Sequence, residues 1–169
     1  RPLSMSIASN GKLLAIDIES GREAWTIPRA TISWASPAYV QTAFGPQLVL
    51  VSSKDVRAYD PMSGRELWQV ECLSGEVATG PAYANGMFFV ASEYSDATAI
   101  RINADGDNLV PEIVWQWYEA LPDVASPLAA GKHLYIATSR GEIVCLEAET
   151  SEVAWFKEYD EGFYASPIL

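Results

Sequence analysis

The chain writes SGREAW at residues 20–25 and SGRELW at residues 63–68, 43 positions apart. A local word repeated at that distance marks a repeated supersecondary unit and restricts the fold to stacked or ring-like arrays. Two more tryptophans extend the pattern. Trp25, Trp68, Trp115 and Trp155 are each followed 12 or 13 residues later by a proline: Pro37, Pro81, Pro127 and Pro167. Upstream of each tryptophan lies a short apolar run: LLAID (13–17), VRAYD (56–60), TAIR (98–101) and IVCLE (143–147). A further run ending in small residues precedes each of these: MSIAS, QLVLVSS, MFFVAS and HLYIATS. The period is about 40–47 residues.

Each unit reads as strands alone. Its runs are short, rich in Val, Ile, Tyr, Phe and Trp, and punctuated by turn residues. ESG, MSG, ANG and SNG (19–21, 62–64, 84–86 and 9–11) supply glycine where a tight antiparallel connection needs positive φ. No window sustains a 3.6-residue period, so long helices are not expected. Four short strands per unit at this period predict an all-β fold, a β-propeller of four-stranded antiparallel blades with about four blade equivalents.

The words AIDIESGREAW (15–25) and AYDPMSGRELW (58–68) resemble the tryptophan-docking motif A-x-D-x-x-x-G-x-x-x-W of the PQQ-like, quinoprotein-type and BamB-like β-propellers. The resemblance covers essentially the whole chain. Residues 145–155, CLEAETSEVAW, keep the spacing and the tryptophan but carry Cys145, Glu147 and Ser151 for Ala, Asp and Gly. The third unit keeps Ala99 and Trp115, has Arg101 for the acid, and inserts six residues between them.

A physical reason for the motif is available without the family. The outer strand of a blade is a weakly packed edge, and an indole there buries on the order of 200 Å² against the next blade. At about 25 cal/mol per Å² this contributes a few kcal/mol per junction. Trp25, Trp68, Trp115 and Trp155, with Gly21 and Gly64, are therefore expected to be structural docking residues, each Trp→Ala costing about 3–5 kcal/mol.

In the family's blade the strand at the Ser-Pro lies innermost, followed outward by three more. In that order the chain starts with the outer three strands, runs three full blades and ends on a lone inner strand, SPIL. The expected units are 1–27 plus 165–169, 36–71, 80–118 and 126–159, in a single propeller region spanning 1–169. Family rings usually have seven or eight blades. Three arrangements follow: a piece of a larger ring, which is preferred; two chains forming a homodimeric eight-bladed ring; or one four-bladed ring closed by mixed terminal pairing.

The formal net charge of -11 argues against nucleic acid, whose phosphates would be repelled. No apolar run reaches the length of a membrane span. Cys72 and Cys145 are too few for a disulfide framework, and Cys145 reads as a small buried thiol. The chain begins with Arg1, so compartment cannot be read from a leader. The resemblance implies an extracytoplasmic setting in the bacterial periplasm or cell envelope.

For a quinoprotein dehydrogenase the resemblance implies an indole floor for PQQ, Ca²⁺ held by Glu and Asn, an Asp base and, in several members, a disulfide between adjacent cysteines. No Cys-Cys pair is present and no Glu, Asn and Asp set matches by position, so no catalytic or cofactor-binding residue is assigned. His133, the sole histidine, opens a strand and lacks evident partners. Asn103, Asp105 and Asp107 in NADGDN alternate like a Ca²⁺ loop, but Asn108 and Val114 stand where that loop needs Gly and Glu. They form a weak calcium candidate beside the preferred reading of a polar turn. Acidic stretches such as EYDEG (158–162) read as solvated surface.

Three residues before each proline stand Trp34, Ala78, Val124 and Tyr164, entering the inner strand near one mouth of the ring. Docking does not require aromatics there, so Trp34 and Tyr164 are candidates for gripping a peptide or ligand, against a plain role in covering the local core. Trp117 shares a face with Trp115 and is expected to extend the outer packing. The expected function is a non-catalytic PQQ-like propeller acting as a protein- or ligand-binding scaffold without a cofactor. The alternative is a piece of a PQQ- and calcium-dependent dehydrogenase.

Overall fold

The computed structural model describes residues 4–9, 11–29 and 31–169. Residues 1–3 of the first unit, and Asn10 of the turn expected at 9–11, lie outside the described residues. Among the described residues the chain holds fifteen strands and no helix.

Four antiparallel sheets follow one another along the chain. The first has three strands, β1 (Ser4–Ser9), β2 (Lys12–Asp17) and β3 (Glu23–Pro28). The second orders β4 (Ala38–Thr42), β5 (Gly45–Val51), β6 (Asp55–Tyr59) and β7 (Glu66–Glu71). The third has β8 (Ala82–Ala84), β9 (Met87–Ser92), β10 (Ser95–Asp105) and β11 (Asn108–Trp117). The fourth has β12 (Leu128–Ala130), β13 (His133–Ala137), β14 (Glu142–Glu147) and β15 (Val153–Glu158). Strands pair only with sequence neighbours, which is the up-and-down order of propeller blades. Among the described residues, 166–169 belong to no strand and β1 pairs only with β2.

The four units share one register. Across the two outer strands Ala15 faces Trp25, Ala58 faces Trp68, Ala99 faces Trp115 and Cys145 faces Trp155. Each pair is followed at once by a β-bulge, which leaves the residue before the tryptophan (Ala24, Leu67, Val114 or Ala154) unpaired. A small side chain opposite the indole leaves room for it, and the bulge turns the outer strand toward the neighbouring blade.

Docking then follows from the turn between the two outer strands. In the first, second and fourth units one backbone pattern recurs: Gly21 N–H donates to Asp17, Gly64 to Asp60 and Ser151 to Glu147, at 2.8, 2.9 and 2.9 Å. Trp25 lies on the second of these turns. Its indole N–H donates to the Pro61 carbonyl at 3.1 Å, and a Cβ on Gly64 would stand 2.8 Å from its Cε3. Trp115 repeats the contact on the fourth, donating to the Ala148 carbonyl at 2.9 Å. Ser151 replaces glycine at φ 61°, so the missing Gly of the fourth unit costs backbone strain rather than the turn itself.

The third unit has no such turn, because β10 and β11 run on as a long hairpin. Trp68 accordingly donates back to its own sheet, to Gln47 Oε1 at 2.8 Å, while its ring packs on Phe88 of the next blade at 5.3 Å. Trp68 is buried nonetheless, in a core with Val49, Val56, Val90 and Ile100. Trp117 packs with Trp115 against the core between the third and fourth sheets, built on Phe89, Leu134, Ile136, Val144 and Leu146.

Trp155 has no following sheet to dock on among the described residues. It rests on Tyr135, ring centroids 6.0 Å apart, and remains 42 % exposed.

Candidate functional site

The inner ends of the blades are laced together by the residues before the prolines. Gly80 N–H donates to Ser126 Oγ at 2.8 Å, and Ser126 N–H to Ser166 Oγ at 2.9 Å. The Gly-Pro word at 80–81 and the Ser-Pro words at 126–127 and 166–167 are thus hydrogen-bonded in succession.

The connections leading into these words, together with the turns between the two middle strands, lie at one end of the blades. Ser53 N–H donates to Ile32 O, Trp34 N–H to Val77 O at 3.1 Å and Phe163 N–H to Thr138 O. The Ser74 hydroxyl donates to the Tyr94 carbonyl. Trp34 and Tyr164 stand on this end, 61 % and 68 % exposed, each on its own blade connection. Half-exposed Val124 occupies the equivalent place between them, and Ala78 adds no ring.

Three exposed rings on the same end escaped the repeat logic: Tyr94, Tyr118 and Tyr159. Tyr94 sits in the turn between β9 and β10, where a Cβ on Gly75 would press against its side chain. Tyr118 directly follows Trp117 and the end of β11. Tyr159 follows β15, donates its N–H to Gly141 O and meets Phe163 edge-on at 5.4 Å. Their common signal is position: each lies in a turn or just past an outer strand, the places that converge on this end.

The same surface is acidic. The Glu93 carboxylate, through a hydrogen bond and its charge, pushes the Tyr94 hydroxyl above its ordinary value, with desolvation, Glu76 and Asp123 adding to the effect. Negative charge from two blade connections and one turn therefore gathers around an exposed ring. Aromatic faces beside carboxylates suit a cationic group, which gains from both.

The remaining candidates stay scattered. Asn103 and Asp105 lie on β10 and Asp107 in the hairpin tip, all exposed. Asn103 donates to Glu112 Oε2 at 2.8 Å across the hairpin. His133 opens β13 with Nε2 3.4 Å from Glu147 Oε1. Among the described residues no three His, Cys, Asp or Glu side chains converge on one point. Trp25, Trp68 and Trp115 are committed to blade contacts and Trp117 to the core.

Both cysteines are free. Burial pushes the Cys72 thiol up to about 12 against a partly offsetting hydrogen bond from Thr98, and burial also raises Cys145. Burial thus favours the neutral thiol at both positions.

Known proteins bear this geometry out at the level of fold. No family model matches the chain. It is 23 % identical over 160 residues to the outer membrane protein assembly factor BamB of Shewanella oneidensis, covering 89 % of this chain and 40 % of that protein. BamB from Moraxella catarrhalis superimposes with a TM-score of 0.76 at 14 % identity, over 100 % of this chain and 51 % of that one. A europium-containing methanol dehydrogenase gives 0.68 at 14 % identity, over 93 % and 41 %. The chain spans about half the length of these relatives or less. No helix of the described residues is long and apolar enough to cross a membrane. The shared register and these likenesses show a β-propeller fold, similar to that of BamB and of the methanol dehydrogenase.

Proposed function

We propose that this chain is a non-catalytic, extracytoplasmic propeller scaffold, and that the end bearing Trp34, Tyr94, Tyr118, Tyr159 and Tyr164 binds a basic segment of a protein partner. The observation that carries the reading is the exposed Tyr94 ring set among Glu76, Glu93 and Asp123. Arginine or lysine stacked on such rings gains cation–π attraction and, at the same time, carboxylate partners. The chain's net charge of -11 favours encounter with a cationic partner over an anionic one. The likeness to a protein named as an outer membrane assembly factor supports a protein partner and a setting outside the cytoplasm.

Short peptides of equal aromatic content and graded charge test this by calorimetric titration. Affinity should rise with positive charge, fall with salt, and drop at least tenfold in a Trp34→Ala, Tyr94→Ala double variant. Affinity that is flat across the charge series contradicts the reading.

The alternative, a piece of a PQQ- and calcium-dependent dehydrogenase, draws on the likeness to the methanol dehydrogenase. Stoichiometric binding of PQQ with Ca²⁺ to this chain, seen spectroscopically, would favour it.

A further inference from the structure

The second unit departs from the repeat where it meets the first. The residue that follows the small side chain opposite each docking tryptophan is Ile16, Tyr59, Ile100 or Leu146. Three of the four are plain hydrocarbon, so blade packing asks for no hydroxyl there. Tyr59 is 4 % exposed and packs in the core with Leu13, Leu48 and Leu50. Among the described residues its hydroxyl makes no hydrogen bond, and a buried hydroxyl without a partner is costly.

Arg29 is the second departure. It stands four residues past Trp25, where the other units place Cys72, Glu119 and Tyr159. Its guanidinium is half-buried and donates from Nη2 to the Val51 carbonyl at 3.4 Å. Among the described residues no carboxylate forms an ion pair with it. Burial lowers the Arg29 guanidinium below its ordinary value, with partial relief from Tyr59 and Asp55.

Both groups line one polar cavity of about 30 Å³ between the first and second sheets, with Thr31, Ser52, Asp55 and Arg57. Burial raises the Tyr59 hydroxyl, and the charges of Arg57 and Arg29 draw it back down. Exposed Pro28 and half-buried Thr31 stand at the rim, so the cavity opens to solvent. Its other charges are already answered. Asp55, 1 % exposed, accepts from Ser52 Oγ at 2.7 Å and from Arg57 Nε and Nη2 at 2.9 and 2.7 Å. Arg57 Nη1 donates to Glu66 at 2.9 Å. One guanidinium and one hydroxyl remain as donors without a strong acceptor.

Water accepts from both donors but leaves the Arg29 charge uncompensated, whereas a carboxylate supplies two acceptor oxygens and the opposite charge. A cavity of this size holds about two waters, which suits the two oxygens of a carboxylate better than the four of a phosphate. We propose that this cavity is a carboxylate-binding site, in which a small monocarboxylate accepts hydrogen bonds from the Arg29 guanidinium and the Tyr59 hydroxyl. The rest of the acid leaves past Pro28 and Thr31, so a free acid and a glutamate side chain of a peptide present the same group. The site takes an anion at a blade junction, so it stands apart from the basic-segment reading, which rests on exposed rings beside carboxylates.

NMR titration with sodium acetate, against sodium chloride at constant ionic strength, tests it. Acetate should shift the Arg29 Nε–H and Tyr59 ring signals saturably, and acetamide, its neutral counterpart, should not. Arg29→Gln should weaken acetate binding about tenfold or more, and Tyr59→Phe about threefold or more. Tyr59→Phe removes one oxygen from an apolar core, and its urea midpoint verifies that the chain stays folded. Arg140→Gln, on the exposed surface of the fourth sheet, should leave acetate binding unchanged. A capped peptide with a single glutamate, compared with its glutamine counterpart, separates the sources: binding tighter than acetate marks a peptide side chain, and weaker binding a free acid. Shifts that do not saturate, an equal response to acetamide, or acetate affinity unchanged in Arg29→Gln each overturn the proposal and leave the cavity to water. Arg29→Gln should bind the basic peptides no more weakly than the parent does, so either reading can fail alone.

Discussion

The indole N–H of Trp25 donates to the Pro61 carbonyl at 3.1 Å, across the junction between the first and second sheets. Its ring fills the space that a Cβ on Gly64 would need, 2.8 Å from the nearest ring atom. One side chain thus satisfies a polar atom and covers apolar surface at once. Trp155, at the same register position, rests on Tyr135 and stays 42 % exposed, and that contrast separates structural from available indoles.

Unfolding by urea should therefore rank the tryptophans. Trp25→Ala should cost about 3–5 kcal/mol, since it empties a junction and leaves the indole's acceptor without its donor. Trp155→Ala should cost less by at least about 1 kcal/mol, because much of its area is already in water. Equal costs would mean that docking does not hold the blades.

Ser151 takes the left-handed conformation that Gly21 and Gly64 take in their turns, at φ 61°. Ser151→Gly should stabilise the chain by about 1 kcal/mol, the relief of left-handed strain exceeding the added freedom of glycine in the unfolded chain. A lower urea midpoint in the variant would show that the serine side chain contributes more than its backbone costs.

Burial pushes the Asp60 carboxyl up, but the N–H groups of Met62 and Ser63 and the Ser63 hydroxyl outweigh it, and the net value lies below the ordinary one. A group depressed in the folded state contributes stability above its unfolded value, about 3.9. That contribution is lost as pH falls through the lower folded value. Urea midpoints taken on acidification below about pH 4 should fall less steeply in Asp60→Asn than in the parent. Parallel curves would remove Asp60 from the account.

Cys72 and Cys145 should resist iodoacetamide at neutral pH in the folded chain and react fully in denaturant, because burial holds both as thiols. Mass spectrometry after a timed pulse reads this directly. Rapid native labelling of Cys145 would mean that the fourth sheet opens at its outer edge, since Cys145 lies under Trp155 and Tyr135.

Much of this architecture was legible in the residues. The spacing of Ala15, Gly21 and Trp25, repeated at Ala58, Gly64 and Trp68, encodes a register that the strands then adopt. What the repeat hides is which blade a tryptophan addresses. Trp68 looks like Trp25 in sequence, yet it turns its N–H to Gln47, because the next unit runs on as the long β10–β11 hairpin and offers no such turn. Gln47 carries no motif; its role depends on a gap elsewhere. The aromatic mouth was half legible for a similar reason. Trp34 and Tyr164 are found by counting back from a proline, but Tyr94, Tyr118 and Tyr159 occupy different places in the repeat and meet only because turns and blade connections share one end.

Hydrogen exchange at the indole N–H groups, read by NMR, tests the docking account most directly. Trp25, Trp68 and Trp115 should exchange slowly, their N–H groups held by Pro61, Gln47 and Ala148. Trp155 should exchange faster than these three and approach the rate of exposed Trp34. Exchange at Trp25 and Trp115 as fast as at Trp34 would contradict the claim that these indoles join the blades.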